Sequence, residues 1–490
     1  NRRRRPSAMS ASDDPGLDKP LVGGSGLAPS PGSTSPRLER TLLITNQISR
    51  RFEKFAGLRK GSLRAAVYNL FSSVLGAGIL GLPFTATRFG LIPGLALILP
   101  FAACSLYTLR LLEWTAVLTG VRGYRPLAEL LLGPRLRRLV ALALVFNTFG
   151  SLVVYLIVIG DLTTGFARSA LAMGDDSDGD GGVGEWLLHV AAHRAAVIVA
   201  VGVLLCLPLS LTRDLSALRY TSLLSLASIA FLSLSLAVRA AEASVSDGGA
   251  AFADHAATGP QLPFIKLVGN LPTFIYAFSC HFNYFSAVDS LARTTPLRVA
   301  KVQNASIGLT LLVYLVVVLA VGALYGTGVD PDFLVSLDPS DGLFAAAKCC
   351  YLVVLVAAFP LNAHPCAAAL RDFFNAPPAE GLPRALTMAA VVGVAIFIAV
   401  FCPNITVALS LVGGTATASI IYIFPAIFFR RATRPGAAEL AVSEDSPLAA
   451  DISAAVEVRM LGAHRCAALS LVALGAGAWV CSLVGLFAGH

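Results

Sequence analysis

Apolar residues along the chain gather into eleven runs, each long enough to cross a lipid bilayer as a helix. Short polar segments separate the runs. Crossing the hydrocarbon core takes about 20 apolar helical residues, and isolated strands or open sheets cannot satisfy their backbone groups in lipid. The pattern therefore predicts an all-α integral membrane protein with eleven transmembrane helices. The predicted spans lie near residues 65–84, 91–112, 139–163, 195–211, 219–238, 264–287, 304–325, 344–366, 385–402, 405–428 and 464–487.

Composition narrows the class of protein further. Of the 490 residues, 56% are hydrophobic and only 13% are charged, whereas a soluble domain carries about 25% charged residues. The inner parts of the predicted spans contain no charged residue apart from Asp161, which disfavours a charged channel filter or a voltage sensor. No motif of a membrane enzyme and no Cys/His cluster occurs. We therefore expect no enzymatic activity, catalytic residue, metal site, cofactor or nucleic-acid partner.

The distribution of basic residues predicts the orientation. With the N-terminus in the cytoplasm, 31 of the 37 Lys and Arg residues fall on the cytoplasmic side and six on the other. Without the N-terminal tail the ratio is still 18 to six, so the positive-inside rule favours a cytoplasmic N-terminus. Four segments are predicted: a disordered cytoplasmic tail at 1–62, a ten-helix transporter core at 63–430, a cytoplasmic loop at 431–463 and a peripheral eleventh helix at 464–490.

Two of the predicted spans are interrupted. The first contains Gly76-Ala77-Gly78 followed by Gly81 and Pro83, and the sixth contains Pro272 and the polar run Ser279–Asn283. Glycines can serve close helix packing, but a helix unwound at Gly76-Ala77-Gly78 would offer backbone N–H groups to a carboxylate. Two interrupted spans five helices apart are typical of an inverted-repeat transporter with a site at the middle of the membrane. Such a polar and uncharged site suits a zwitterion.

Several motifs, in this order along the chain, resemble one family. They are the first span with Leu75–Ile79, the segment from Asn147-Thr148-Phe149-Gly150 to Gly160-Asp161, Phe278–Phe282, Phe359-Pro360-Leu361-Asn362, and the segment from Gly414-Thr415 to Phe424-Pro425. The chain resembles the amino acid/auxin permease family, within the superfamily that shares the fold of the bacterial leucine transporter. The resemblance implies a five-plus-five inverted repeat with broken helices 1 and 6, and transport of amino acids with sodium or protons.

The resemblance also implies a set of binding residues. Backbone N–H groups at the first break would receive the carboxylate, carbonyl groups at the sixth would receive the amine, and an aromatic ring would close over the substrate. The residues are Gly76, Ala77, Gly78 and Ile79 for the carboxylate, Phe278, Ser279 and Cys280 for the amine, and Phe282 or Tyr155 for the ring.

Ion coupling is the point at which the chain departs from the sodium-coupled members of the family. Their ligand positions in spans 1 and 8 align with Ser73 and Val353, and valine has no side-chain oxygen. We therefore expect a proton, or exchange, rather than sodium. Ion-coupling candidates are His281, Ser73 and Asn69; an imidazole can change its charge near neutral pH. The alternative for His281 is a neutral ring that bridges spans 6 and 1.

The sequence thus predicts a secondary transporter that moves amino acids, with neutral ones favoured, across a membrane by alternating access. The expected partners are an amino acid substrate, a coupling proton and membrane lipid. An alternative is an amino acid sensor that signals through its N-terminal tail. The plasma membrane and the vacuolar or lysosomal membrane are both compatible with the sequence.

Overall fold

The computed structural model describes residues 61–76, 78–174, 192–212, 218–338, 340–377, 380–402, 404–434 and 458–488. Within these ranges the protein is almost entirely helical, as predicted. Residues 1–60 of the predicted tail and most of the predicted loop at 431–463 lie outside the described residues. The helices are α1 Leu63–Val74, α2 Gly78–Arg88, α3 Leu91–Thr119, α4 Tyr124–Gly174, α5 Arg194–Leu211, α6 Leu218–Ser246, α7 Ala250–Ala257, α8 Phe264–Ala277, α9 Tyr284–Asp289, α10 Pro296–Tyr325, α11 Phe333–Ser336, α12 Gly342–Phe373, α13 Leu382–Phe401, α14 Ile405–Ala432 and α15 Val458–Ala488.

Nine of the described helices are long and apolar enough to cross a membrane, and α1 and α2 together make a tenth candidate. An eleventh span would have to combine α8, which has 14 residues, with the short helix α9. The membrane-spanning, all-helical fold class is confirmed by these helices. The count of eleven, the five-plus-five inverted repeat and the broken helices 1 and 6 remain predictions.

The first span is divided between α1 and α2, whose axes meet at 57°. Helix α1 begins at Leu63, where the Ser62 hydroxyl accepts a hydrogen bond from the Ala65 amide, and it ends at Val74. Helix α2 begins at Gly78. The interruption predicted from the glycines therefore coincides with the place where these two helices meet.

The sixth span changes conformation at a corresponding place. Helix α8 ends at Ala277, residues Phe278–Cys280 are not helical, and a single 3₁₀ turn at His281–Asn283 leads into α9. The amides of Phe278 and Ser279 donate to the carbonyls of Ile275 and Tyr276, which tightens the end of α8.

The interior of the bundle is built around these two interrupted spans. Helix α8 packs against α2, α14 and α15, while α10 packs against α1, α2 and α3, and α12 lies along α4. Helix α15, the predicted peripheral helix, approaches α8 closely: a Cβ built on Gly269 would lie 2.6 Å from the Cα of Gly485. The breaks in spans 1 and 6 are thus enclosed by α4, α10 and α14.

Charged residues inside the spans differ from the prediction. Besides Asp161, Glu113 lies within α3 and Lys348 within α12, and both are buried, with exposures of 8% and 6%. Glu113 was missed because the second span was ended at residue 112. Val353, used above as evidence against a sodium site, is 53% exposed on α12 and does not line the interior. Its assignment to a sodium-ligand position of span 8 was therefore wrong.

Candidate functional site

The breaks in spans 1 and 6 lie in direct contact. A Cβ built on Gly78, the first residue of α2, would lie 2.6 Å from the Cα of Ala277, the last residue of α8. Real Cβ atoms do not approach a backbone atom this closely, so only glycine at position 78 allows these two segments of the backbone to meet. This contact brings the two unwound segments together in the interior of the bundle.

A single phenol group joins the carbonyl ends of the two broken spans. The Tyr314 hydroxyl of α10 lies 3.1 Å from the carbonyl oxygen of Val74 and 2.6 Å from that of Ala277. These are the last residues of α1 and α8, where helix carbonyls have no intrahelical partner and the helix dipole is negative. Tyr314 is fully buried. Its O–H group therefore supplies positive charge density where two negative helix ends converge.

One face of α4 provides polar side chains toward the breaks. Asn147, Ser151 and Tyr155 are spaced four residues apart and therefore share a face of the helix. The Asn147 Oδ1 atom accepts hydrogen bonds from the Thr417 hydroxyl at 2.7 Å and the Ser279 hydroxyl at 3.4 Å. Thr417 belongs to a π-helical turn, Gly413–Thr417, inside α14. Asn147 thus links spans 3, 6 and 10.

The rest of this polar face reaches both breaks. The Ser151 and Tyr276 hydroxyls lie 2.8 Å apart, and the Tyr155 hydroxyl accepts a hydrogen bond from Asn362 at 3.3 Å. A Cβ built on Gly76 would lie 3.2 Å from the Tyr155 hydroxyl. Tyr155 therefore lies next to the first break, and its closing over the substrate stays a prediction. Its hydroxyl is close enough for a hydrogen-bonding role beside residue 76.

The Asn147 amide nitrogen is the unpaired donor of this group. Asn147 is 1% exposed, and its Nδ2 atom has no hydrogen-bond partner among the described residues. A buried unpaired donor costs about 1–3 kcal/mol unless a ligand or water satisfies it. Sequence reasoning quoted Asn147 only as part of a motif. The spacing of Asn147, Ser151 and Tyr155 was the signal that could have identified it.

His281 lies beside span 2 rather than span 1. Its Nε2 atom is 2.8 Å from the Thr108 hydroxyl of α3, and its Nδ1 atom has no partner among the described residues. The ring is fully buried. The alternative prediction, in which a neutral His281 ring bridges spans 6 and 1, was therefore wrong, because the ring contacts span 2 instead. Ser105, one turn before Thr108, donates a 3.4 Å hydrogen bond to the carbonyl of Phe278.

The predicted ion-coupling residues of α1 make different contacts. The Ser73 hydroxyl donates to the Asn69 carbonyl at 3.0 Å and accepts from the Asn283 side chain at 3.2 Å. This second bond connects α1, the N-terminal half of span 1, to the 3₁₀ turn of span 6. The Asn69 side chain is exposed on α1, so the described residues do not enclose it.

A buried carboxylate network holds the C-terminal half of span 6. Glu113 accepts hydrogen bonds from Arg122 at 3.0 Å and from the Tyr284 hydroxyl at 2.8 Å. Gln303 donates to the Tyr284 hydroxyl at 2.7 Å, and Arg122 also pairs with Asp289 at 2.8 Å. The network ties α3, α9 and α10 together. It was not foreseen from the sequence.

The remaining predicted site residues lie either at the breaks or at the border of that region. Ile79 and Cys280 are fully buried, Ser279 is 8% exposed, and Phe282 is half-buried next to the 3₁₀ turn. Phe278 packs edge-to-face on the Tyr314 ring, with centroids 5.4 Å apart. Ala77 lies outside the described residues. The structure thus brings Gly76, Gly78, Tyr155 and the 278–280 segment into one region, and places His281 and Phe282 at its border.

The sequence is similar to those of amino acid transporters from other organisms. An amino acid transporter of Arabidopsis thaliana is 28% identical over 75% of this chain and 75% of its own length. Vacuolar amino acid transporter 6 of Saccharomyces cerevisiae is 27% identical over 64% of this chain and 67% of its own length. A Danio rerio protein, provisionally named a sodium-coupled neutral amino acid transporter, is 29% identical over 61% of this chain and 63% of its own length.

Similarity extends to a solved structure and to a family. A crystal structure of a mutant manganese transporter from Eremococcus coleocola is similar over 87% of this chain and 95% of that one, with a TM-score of 0.47 and 12% identity. The family described as transmembrane amino acid transporter protein matches residues 59–443, most of the chain. The protein therefore belongs to the transmembrane amino acid transporter family, the amino acid/auxin permease family that its motifs resemble.

Proposed function

We propose that the protein is a secondary transporter that binds neutral amino acids at the joined breaks of spans 1 and 6 and moves them by alternating access. The contact between Gly78 and Ala277 carries the proposal, because it brings the N-terminal end of α2, whose first N–H groups have no intrahelical partner, next to the C-terminal end of α8. The N-terminal end of α2 suits a carboxylate, and carbonyls near 278–280 suit an ammonium group. An amino acid carries both groups on one carbon atom.

The surroundings of the breaks support a neutral substrate. The side chains brought together there by hydrogen bonds are those of Asn147, Ser151, Tyr155, Tyr276 and Asn362. All five are uncharged at neutral pH, so a cationic or anionic substrate side chain would be desolvated there without a counter-charge. The relative from Danio rerio is named for neutral amino acids, which agrees with this choice.

Tyr314 supports transport without sodium at this position. In broken-helix transporters, carbonyls at the C-terminal ends of half-helices coordinate the coupling cation. Here the carbonyls of Val74 and Ala277 share the Tyr314 hydroxyl. A cation at the same place would have to displace a buried phenol. Unlike the exposed Val353, the phenol occupies the interior position itself. Because the Danio rerio relative is named sodium-coupled, the sodium dependence of transport must be tested.

A vacuolar or related membrane is the location that we propose. Two of the relatives, from Saccharomyces cerevisiae, are named vacuolar amino acid transporters. Vacuoles maintain proton gradients rather than sodium gradients, which is consistent with a proton as the coupling ion. A fluorescent fusion of the full chain, imaged beside markers of the vacuole and the plasma membrane, tests this location.

The function itself is tested with the purified full chain in proteoliposomes. A panel of labelled neutral, cationic and anionic amino acids is offered with an imposed sodium gradient, an imposed proton gradient or neither. We expect uptake of neutral amino acids that a proton gradient stimulates and a sodium gradient does not. Uptake that requires sodium would refute the coupling proposal, and the absence of uptake or exchange of any amino acid would refute transport.

A further inference from the structure

The loop between α10 and α12 contains a buried carboxyl group that the proposed function has not used. Asp332 precedes the four-residue helix α11, and its Oδ1 atom accepts a hydrogen bond from the Leu334 amide at 3.1 Å. Its Oδ2 atom has no hydrogen-bond partner among the described residues, and the residue is only 3% exposed. A carboxylate is almost never buried in this way unless it is paired or protonated.

The loop lies against the outer half of the first span. Helix α11 packs on α2 and α4, and the Pro331 carbonyl lies 3.9 Å from a Cβ built on Gly81 of α2. Phe333, Leu334 and Leu337 are fully buried. Helix α2 begins at the proposed amino acid site, so any movement of this loop acts on a half-helix that contributes to that site.

No charged group in the described residues pairs with Asp332. Asp161 of α4 is bound to Arg194 at 2.5 Å, and Lys348 of α12 donates to the Leu337 carbonyl at 2.7 Å. The other ionisable groups facing it are Asp330 of its own loop and Tyr351 of α12. On α2 the ionisable group is Arg88, which lies over the Phe84 ring.

Burial in these surroundings raises the pKa of the Asp332 carboxyl from its usual value to about 7, with Asp161 and Asp330 acting in the same direction. The Leu334 amide and Lys348 oppose the shift. The group therefore changes its charge within the physiological pH range.

Unpaired hydroxyl groups occur on the helices that surround this loop. Thr85 of α2, Thr164 of α4 and Thr406 of α14 are buried, and none of their hydroxyls has a partner among the described residues. Helix α14 packs on both α2 and α4, as α11 does. Hydroxyl groups both accept and donate hydrogen bonds, so the helices packed around α11 carry buried polar groups with unused hydrogen-bonding capacity.

We propose that Asp332 is the site that binds the proton moving with the amino acid. Protonation of Oδ2 removes the charge and lets α11 seat against α2; loss of the proton creates a buried charge that is relieved only when the loop moves toward water. The proton is exchanged with water, and no other bond changes. The inference rests on the proposed function and deepens it, because it names the coupling ion and its site.

The test compares two amides in the same loop. Asp332→Asn keeps the N-cap acceptor, since Asn caps helices as well as Asp, and imitates the protonated acid. Asp330→Asn removes an exposed carboxylate two residues earlier, and it is the matched control. Each full-length variant is reconstituted in proteoliposomes that contain a pH-sensitive dye, and uptake of a labelled neutral amino acid and proton entry are recorded together.

Asp332→Asn should still exchange internal for external amino acid but bring in no protons. A group with a pKa of about 7 is about 90% protonated at pH 6 and about 10% at pH 8, so wild-type uptake should change severalfold over this range. Asp330→Asn uptake should also change severalfold but around a lower pH, because Asp330 contributes to the raised pKa of Asp332. Uptake by Asp332→Asn should not change. The proposal would be overturned if Asp332→Asn brought in protons at the wild-type ratio to amino acid. It would also be overturned if both variants lost proton entry.

A second measurement does not depend on transport. The infrared absorption of a protonated carboxyl group is followed in the purified wild-type protein and in Asp332→Asn between pH 5 and pH 9. We expect one band that titrates near pH 7 and is absent from Asp332→Asn. A wild-type protein without such a band would overturn the proposal even if Asp332→Asn failed to transport. Absent uptake together with a normal band would refute the proposed function instead.

Discussion

Replacement of Gly78 by alanine tests the contact on which the binding site depends. The added Cβ would lie 2.6 Å from the Cα of Ala277 and 3.2 Å from its amide nitrogen, whereas ordinary contacts begin near 3.4 Å. The neighbouring atoms belong to the backbone, so one half-helix must move by about 1 Å. Overpacking of this kind costs about 1–3 kcal/mol, which corresponds to about a 5- to 150-fold loss of substrate affinity if the cost falls on the bound state.

The measurement is binding and uptake of a labelled neutral amino acid by the purified variant in proteoliposomes, with thermal unfolding in detergent as a check of folding. Gly308→Ala is the matched control, since it also lies within a helix, α10, but no atom lies within 4 Å of its added Cβ. We expect the control to retain wild-type uptake and gain slightly in stability. A folded Gly78→Ala protein with wild-type affinity would refute the account of the joined breaks.

Three further predictions concern the polar groups. Tyr314→Phe leaves two buried helix-end carbonyls without their donor, which costs about 1–3 kcal/mol. Amino acid uptake should therefore fall about tenfold or more, and added sodium should restore part of that uptake. Unchanged uptake would contradict the role of the phenol. Glu113→Gln weakens the bonds from Arg122 and Tyr284, so the thermal unfolding temperature should fall, while Glu129→Gln, an exposed carboxylate, should leave it unchanged. Because the pKa of Asp332 is raised, the folded protein holds this proton more tightly than the unfolded chain does. The free energy of unfolding should therefore fall as the pH rises from about 4 to 7. The fall should be smaller in Asp332→Asn, and an equal fall in both proteins would contradict the raised pKa.

The broad architecture could be predicted from the sequence because lipid imposes a simple rule. Every spanning segment must be helical and apolar, so hydropathy alone gave the positions of the long helices. A break at Gly76–Gly78 was predicted because glycines and a proline are concentrated there, and it stays a prediction. The bend and the end of α8 at Ala277 agree with that interpretation.

Contacts between distant segments could not be predicted in the same way. The link from Tyr314 to Val74 and Ala277 joins residues 240 and 37 positions apart, and no local pattern marks it. Glu113 was placed outside a span because hydropathy falls at a charged residue, although a buried partner such as Tyr284 compensates the charge. Val353 was placed in the interior by alignment alone, whereas its position on α12 is on the outer surface.

His281 shows why a functional residue type is not sufficient evidence for a role. A histidine in a membrane span is typical of a functional group, and its unpaired Nδ1 atom fits that expectation. Its bond to Thr108, however, connects two packed helices away from the first break. Asp332 could not be identified from the sequence as a candidate functional residue, because nothing in the sequence indicates that the side chain of this loop aspartate is buried.

The most direct test of the binding site is a cryo-electron microscopy map of the full chain in lipid nanodiscs with a saturating neutral amino acid. The account predicts ligand density with its carboxylate within hydrogen-bonding distance of the N–H groups at 76–79 and its ammonium group near the carbonyls at 278–280. Continuous helices through residues 74–78 and 277–284, or ligand density elsewhere in the bundle, would contradict it.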